Sequence, residues 1–478
     1  MTSSALPVFA AFVDGKMAEG SEQLFDLVNP QNGSITGRIS ESGASGVNKA
    51  VNAATAAFTS NRKQPTHQRI AWLKSAAAAL AAANGEIAAT ICEDVGKPIR
   101  SATFEVKRGV EFLEACAAAL TQLGGETLPL DITAPGAGHF GYVRHVPYGV
   151  VAGITPFNAP VNLLIQKVAP AIAAGNAIVV KPAPAGTRTA LKLARIFQDA
   201  GWPMNLFTVV TGDRESALAL AAHEDVRAVS FTGGTAGGDA LARAAGAKRF
   251  VAELGSNAAN ILLADADIEN AAKKIAAAAF EASGQQCISA QRVLVARPSL
   301  DAFLGHFVAA AKNMNVGDAN DPKTDIGPMV SKVSAERVMA MCEEAVFRGA
   351  RYALEPVRTD AVVSPGILVE VSKDARLWRE EVFGPIALVM AFDTIDEALK
   401  LANDSPFGLQ GAVFTRDLAA ALRFSEDFEV GALWINEATR FRLDIYPFGG
   451  MKRSGVGREG VRYAIEEFSQ LKFTGITL

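Results

Sequence analysis

The sequence predicts an α/β fold built on parallel sheets with helices packed on both faces. Two observations carry that expectation. Between Val150 and Leu254 five short apolar runs alternate with helical segments, the pattern of repeated strand–helix–strand units. Polar or Gly-rich segments follow the carboxyl ends of those runs: Thr155 to Ala159, Lys181-Pro182, Thr211-Gly212 and Thr232 to Gly234. Open parallel sheets bind their ligands at those ends.

The elements are read in chain order. Ala11 to Val13 and Lys16-Met17 flank the turn dipeptide Asp14-Gly15 and predict a hairpin. Leu24 to Val28 predicts a strand stopped by Asn29-Pro30. Gly43 to Ser60, Gln68 to Ala82, Glu86 to Val95 and Ser101 to Leu123 are Ala-rich, with apolar residues at three- and four-residue steps, and predict helices. Val150 to Ile154, Ala177 to Val180, Leu206 to Val210, Ala228 to Phe231 and Arg249 to Leu254 predict strands. Val150 to Ile154 lacks polar alternation, as a strand buried on both faces does. Val161 to Ala174, Thr187 to Asp199, Ser216 to His223 and Thr235 to Ala245 predict the helices between them. A second α/β region follows from about Asn257 to Trp434, with a strand near Val293 to Ala296 and another near Ile386 to Ala391. A Gly-rich loop, Pro447 to Gly460, leads to a helix and a last strand, Phe473 to Leu478.

The 478 residues suit two to four lobes. The net charge of −4 comes without a long basic run, which argues against a nucleic-acid partner. No window of about 18 apolar residues is free of charges and breakers, so no membrane span is expected, and Met1 to Ala10 lacks the basic start of a signal peptide. Four scattered cysteines predict a reduced, cytoplasmic setting rather than disulfides or a zinc site. The five histidines are isolated, and no metal site is expected.

Several segments carry chemistry. In Gly284-Gln285-Gln286-Cys287, a cysteine after Gly and polar residues suits a nucleophile, although most lone cysteines are small buried core residues. Glu253 ends a buried strand, where a raised pKa suits a general base; a capping or ion-paired carboxylate fits the same position. Asn158, in Thr155-Pro156-Phe157-Asn158, offers a neutral donor for an oxyanion or merely a turn. Lys181 and Phe231-Thr232-Gly233-Gly234 suit ribose and pyrophosphate, or ordinary strand-to-helix loops. The glycines do not spell G-x-G-x-x-G. Glu380 to Pro385 and Pro447 to Gly455 read alone as turns.

Taken together and in order, TPFN at 155–158, VVKP at 179–182, FTGG at 231–234, ELGS at 253–256, GQQC at 284–287, EEVFGP at 380–385 and PFGGMKRSG at 447–455 resemble the aldehyde dehydrogenase superfamily over nearly the whole chain. The segment Phe441-Arg442-Leu443-Asp444 resembles its lactaldehyde, non-phosphorylating glyceraldehyde-3-phosphate and phosphonoacetaldehyde branch. The resemblance implies a Rossmann-like cofactor domain over 1–124 and 148–252, a catalytic α/β domain over 253–460, and a small β oligomerisation segment over 125–147 and 461–478. It implies Cys287 as the nucleophile that forms a thiohemiacetal and then a thioester, Asn158 with the Cys287 N–H as oxyanion hole, and Glu253 as activator of the hydrolytic water.

For the NAD or NADP cofactor, the resemblance implies Lys181 at the adenosine ribose and Glu381 at the nicotinamide ribose. Phe383 is expected beside the nicotinamide, and Phe157 and Gly233 near the pyrophosphate. Thr155, Gly212, Phe231, Thr232 and Leu254 are expected around the same ligand. Two positions depart from the family pattern. Gly234 replaces a serine that reaches the phosphate. Pro184 replaces a glutamate that binds the ribose 2′-hydroxyl, so NADP+ is admitted. At the substrate, Arg108 and Arg440 are candidates for a phosphate, phosphonate, sulfonate or carboxylate on a short aldehyde, with Gln286, Ile288 and Phe448 nearby; each arginine is also an ordinary candidate for an ion pair. A homodimer or homotetramer is expected. The competing readings are a CoA-acylating dehydrogenase, which Glu253 opposes, and a non-catalytic dinucleotide-binding homologue, which the Cys287, Glu253 and Asn158 set opposes.

Overall fold

A computed structural model describes residues 6–478; the first five residues of the 1–124 span and of the Met1–Ala10 segment lie outside the described residues. The helix α1 (Ile99–Ala119) stops four residues before the expected end at Leu123. Its buried stripe, Ala102, Val106, Phe112, Leu113 and Cys116, follows the three- and four-residue spacing that predicted it.

Five parallel strands form the centre of the first sheet: β1 (Val150–Thr155), β2 (Ala177–Pro182), β3 (Phe207–Val209), β4 (Val226–Thr232) and β5 (Arg249–Glu253). Their order is β5-β4-β1-β2-β3, with Gly455–Val456 antiparallel on the β5 edge and Phe12–Val13 antiparallel on the β3 edge. Between them run α2 (Asn162–Ala174), α3 (Thr187–Asp199) and α4 (Thr235–Ala245), with Arg214–Ala222 as a further helix. Every residue of β1, β2 and α2 is buried, which explains their largely apolar sequences and makes Lys167 and Lys181 exceptions. The chain reverses direction across the sheet between β1 and β4, and a crevice opens at such a reversal, beyond the carboxyl ends of the strands.

The second sheet contains β6 (Ala258–Leu262), β7 (Ala290–Ala296), β8 (Arg351–Leu354), β9 (Gly366–Val369), β10 (Ile386–Phe392), β11 (Gln410–Phe414) and β12 (Ala432–Ile435). The order is β8-β9-β10-β7-β6-β11-β12, parallel except for β8. The helix α5 (Ile268–Phe280) covers it and leads into the turn before Cys287. A third sheet pairs Glu126–Leu128 and Ser469–Thr477 with His139–Pro147. The last strand therefore begins at Ser469, four residues earlier than the sequence suggests. From Gln470 it is exposed and polar-interrupted, so it carries no buried-strand signal. Among the described residues no single helix is long and apolar enough to cross a membrane, and no group of three His, Cys, Asp or Glu side chains is placed to hold a metal.

Candidate active site

Cys287 follows a tight turn, Glu281–Gly284, in which Ala282, Ser283 and Gly284 have φ of 52°, 59° and 62°. Three consecutive left-handed residues are costly outside glycine. Ser283 anchors the turn by donating to the Gly327 carbonyl at 2.8 Å. At Gly284 a side chain would meet the main-chain oxygen of Gly384, so the glycine in the motif has a steric reason. The turn presents Cys287 half-buried in the wall of a cavity of about 850 Å³.

Glu253, the last residue of β5, is 2 % exposed, and its Oε1 has no hydrogen-bond partner. Burial, with repulsion from Glu459, raises its pKa well above the carboxylate range; the Cys287 thiol and Arg442 act in the opposite sense. Burial raises the Cys287 thiol too, and the neighbouring Glu253 raises it further. The two side chains thus share one environment although 34 positions separate them in sequence (287 − 253). Asn158, in the loop after β1, lines the same cavity and donates to the Gln285 carbonyl at 2.9 Å. Cys287 and Asn158 therefore line one cavity, and Glu253 lies buried beside Cys287 without lining it.

Much of the expected cofactor set lies at or beyond the carboxyl ends of β1, β2, β4 and β5. Thr155 is buried at the end of β1. Phe157 meets Phe383 edge to face, ring centroids 5.8 Å apart. Gly234 is exposed at the start of α4 with open space around its Cα, while Phe231 lies beneath Gly233 and Gly237 as their floor. Lys181 is buried; desolvation lowers its pKa to about 8 against the opposing pull of Asp213 and Glu41. Glu381 accepts from the Ser256 N–H at 3.1 Å, and burial lifts its pKa to about 7. Pro184 opens a short helical turn, half-buried beyond Lys181.

Other expected positions turn inward. The Thr232 hydroxyl is taken by Lys167 Nζ at 2.7 Å and by Glu459, so it faces the interior rather than the crevice. Leu254 is buried against Gly238. Gly212, at φ 117°, makes room for the carboxylate of Glu41, which accepts from the Asp213 N–H at 2.7 Å. Phe448 is 0 % exposed and packs with Ile288 and Leu409 beneath Cys287; it supports the cavity wall and does not form it.

Arg108, Arg440, Gln286 and Ile288 do line the cavity. Both arginines carry carboxylates: Arg108 pairs with Asp444 at 2.7 Å, and Arg440 pairs with Glu281 and donates to Gln286 Oε1 at 3.0 Å. The sequence reading missed an interior group formed by Arg442, Glu459 and Lys167. Arg442 and Asp444 stood in a quoted motif without a role. Lys167 was the visible signal: a lone charge in the apolar helix α2 requires a buried partner.

Comparison with known proteins agrees with this geometry. Residues 17–474 match the aldehyde dehydrogenase family. A 3-sulfolactaldehyde dehydrogenase of Priestia megaterium is 38% identical over 472 residues, 98% of each chain. A lactaldehyde dehydrogenase of Methanocaldococcus jannaschii is 34% identical over 96% of this chain and 98% of its own. The crystal structure of an NADP-dependent glyceraldehyde-3-phosphate dehydrogenase from Bacillus halodurans, complexed with NADP, superposes with a TM-score of 0.96 at 31% identity, covering 98% of this chain and 99% of that one. With the motifs, the convergent cavity and matches of this length in agreement, the chain belongs to the aldehyde dehydrogenase family.

Proposed function

We propose that the protein oxidises an aldehyde to a carboxylic acid with NAD(P)+, through a thioester on Cys287 that water hydrolyses. The observation that carries this reading is an accessible Cys287 in the cavity wall with a buried Glu253, whose Oε1 has no hydrogen-bond partner, neighbouring it behind that wall. The residues at the β1–β4 crevice fit a dinucleotide: Lys181 offers a buried cation, Gly233-Gly234 offer bare backbone at a helix start, and Phe157 with Phe383 offer an aromatic wall. When bound, the oxidised dinucleotide accepts a hydride from the substrate carbon.

The chain's residues divide the remaining work. The Cys287 sulfur attacks the aldehyde carbon, and the Asn158 amide with the Cys287 N–H stabilises the oxygen that becomes negative. After the sulfur is acylated, the Glu253 carboxylate takes a proton from water, which attacks the thioester. The acid leaves and the sulfur is restored. A base at 253 favours water over CoA as acceptor. Replacement of Cys287 by Ser, assayed with an aldehyde panel and either cofactor, with and without CoA, tests the reading; retained turnover would end it.

Arg108 and Arg440 support a short aldehyde with an anionic far end, consistent with the 3-sulfolactaldehyde and glyceraldehyde-3-phosphate in the names of the relatives. Such an anion replaces Asp444 or Glu281 as partner in part. Pro184 puts no carboxylate against a 2′-phosphate, so both NAD+ and NADP+ are admitted. Four free cysteines fit a cytoplasmic setting. The 125–147 and 461–478 segment suits a homodimer or homotetramer: the strand Ser469–Thr477 leaves one edge open and exposes Leu471, Phe473 and Ile476.

A further inference from the structure

Arg442, Glu459 and Lys167 form a buried triad next to the nucleophile and base. Their side chains are 5 %, 6 % and 1 % exposed. Glu459 receives Arg442 through one oxygen at 3.1 Å and Lys167 through the other at 3.3 Å. Two cations on one carboxylate leave one positive charge in excess. Asp444, 3.7 Å from Arg442 Nε, does not cancel it, because Arg108 holds Asp444 at 2.7 Å.

Arg442 is immobilised. It donates to Gln166 Oε1 at 2.9 Å, and its guanidinium carbon lies 3.6 Å from the centre of the Phe448 ring. Cys287 packs against the cluster that contains the same ring. Arg442 also lines the cavity with Cys287, while its Nε has no hydrogen-bond partner.

A buried excess charge costs free energy unless an anion stands close. The acids available are Cys287 and Glu253. Glu381 is engaged with the Ser256 N–H, and the Tyr446 hydroxyl with Gln410. Glu253 opposes ionisation of the Cys287 thiol, and Arg442 favours the ionised form of both. One positive charge therefore supports one negative charge on the pair.

We propose that Arg442 is a positioning residue that sets the charge of the nucleophile–base pair, supplying the unmatched positive charge that holds a single negative charge on Cys287 and Glu253 between them. This rests on the reading of Cys287 as nucleophile. For attack the Cys287 thiol gives up its proton and Glu253 takes one up, giving a thiolate and a neutral acid with no net change of charge; Glu253 Oε1 has no hydrogen-bond partner, so the proton travels through water. Once the sulfur is acylated and neutral, Glu253 releases that proton to solvent, and the negative charge moves to the base that hydrolysis needs. One fixed cation serves both halves of the reaction.

The test is the pH profile of Cys287 alkylation by iodoacetamide in the full chain, read by mass at the Cys287 peptide. Arg442→Met makes the triad neutral. The midpoint is expected to rise by about one pH unit and alkylation near neutral pH to slow roughly tenfold. Glu459→Gln makes the triad doubly positive and is expected to lower the midpoint. Arg442→Lys retains the charge and is expected to stay near the parent value. Midpoints unmoved, or moved in the opposite directions, overturn the proposal. If Arg442→Met does not fold, Glu459→Gln decides alone. Activity surviving in Cys287→Ser would instead remove the nucleophile reading, while the alkylation profile still reports the charge around the residue.

Discussion

The side-chain amide of Asn158 donates a 2.9 Å hydrogen bond to the main-chain carbonyl of Gln285, two residues before Cys287. This bond ties the loop after β1 to the nucleophile turn, so the amide's position depends on the turn it serves. Its second N–H remains for the substrate oxygen. Asn158→Ala is expected to lower kcat by about 10²–10³-fold with a small change in KM, because the oxyanion forms only as the reaction proceeds. Steady-state formation of reduced cofactor measures it; a pure KM effect would assign Asn158 to binding alone.

Glu253→Gln separates the two halves of the reaction. Acylation is expected to survive as a burst of one reduced cofactor per active site, with later turnover slowed by about 10²-fold or more. The pH dependence has a defined sign. Burial raises the Glu253 pKa, and only the carboxylate accepts a proton from water. Hydrolysis therefore speeds up as pH rises through a value above the ordinary carboxylate range. Stopped-flow traces across pH check this, and the rising limb should vanish in the Gln variant.

Lys181 carries a charge that is already weakened. Desolvation brings its pKa to about 8, so the ammonium is present below that pH and lost above it. Cofactor affinity is expected to fall as pH rises through about 8, more steeply for NADP+ than for NAD+. Lys181→Met should raise the cofactor KM and flatten that dependence. Fluorescence titration with both dinucleotides gives the answer, and identical pH profiles for parent and variant would count against the role.

Arg108→Leu tests the anionic substrate. If a sulfonate, phosphate or carboxylate is bound there, KM for acidic aldehydes should rise at least tenfold more than for neutral ones. Equal changes for both would point to the Asp444 ion pair as the only role of Arg108.

Gly284→Ala is expected to disturb the nucleophile turn. The residue has φ 62° and abuts the Gly384 carbonyl. Strain of about 1–3 kcal/mol should lower the thermal midpoint and cut kcat more than KM. A fully active variant with parental stability would show that the turn tolerates a side chain.

Local pattern accounts for most of the first sheet and for the reactive residues. The strand β1 reads as an apolar run without alternation because both its faces are buried, and α4 matches its expected span from Thr235 to Ala245. Helix and strand ends moved by a few residues where fraying or an exposed start left no periodic signal, as at Leu123 and Ser469. Side-chain direction was less legible. Thr232, Leu254 and Phe448 sit in the right motifs yet point inward.

The sequence by itself determined the strand–helix alternation and the ordered motifs that make Cys287, Glu253 and Asn158 the candidates, because each depends on contiguous residues. Only the tertiary structure decided which charges are partnered. Arg108 meets a carboxylate 336 positions away, and Lys167 meets one 292 positions away. The electrostatics of a buried site depends on distances between side chains from separate elements, and no local pattern encodes those distances.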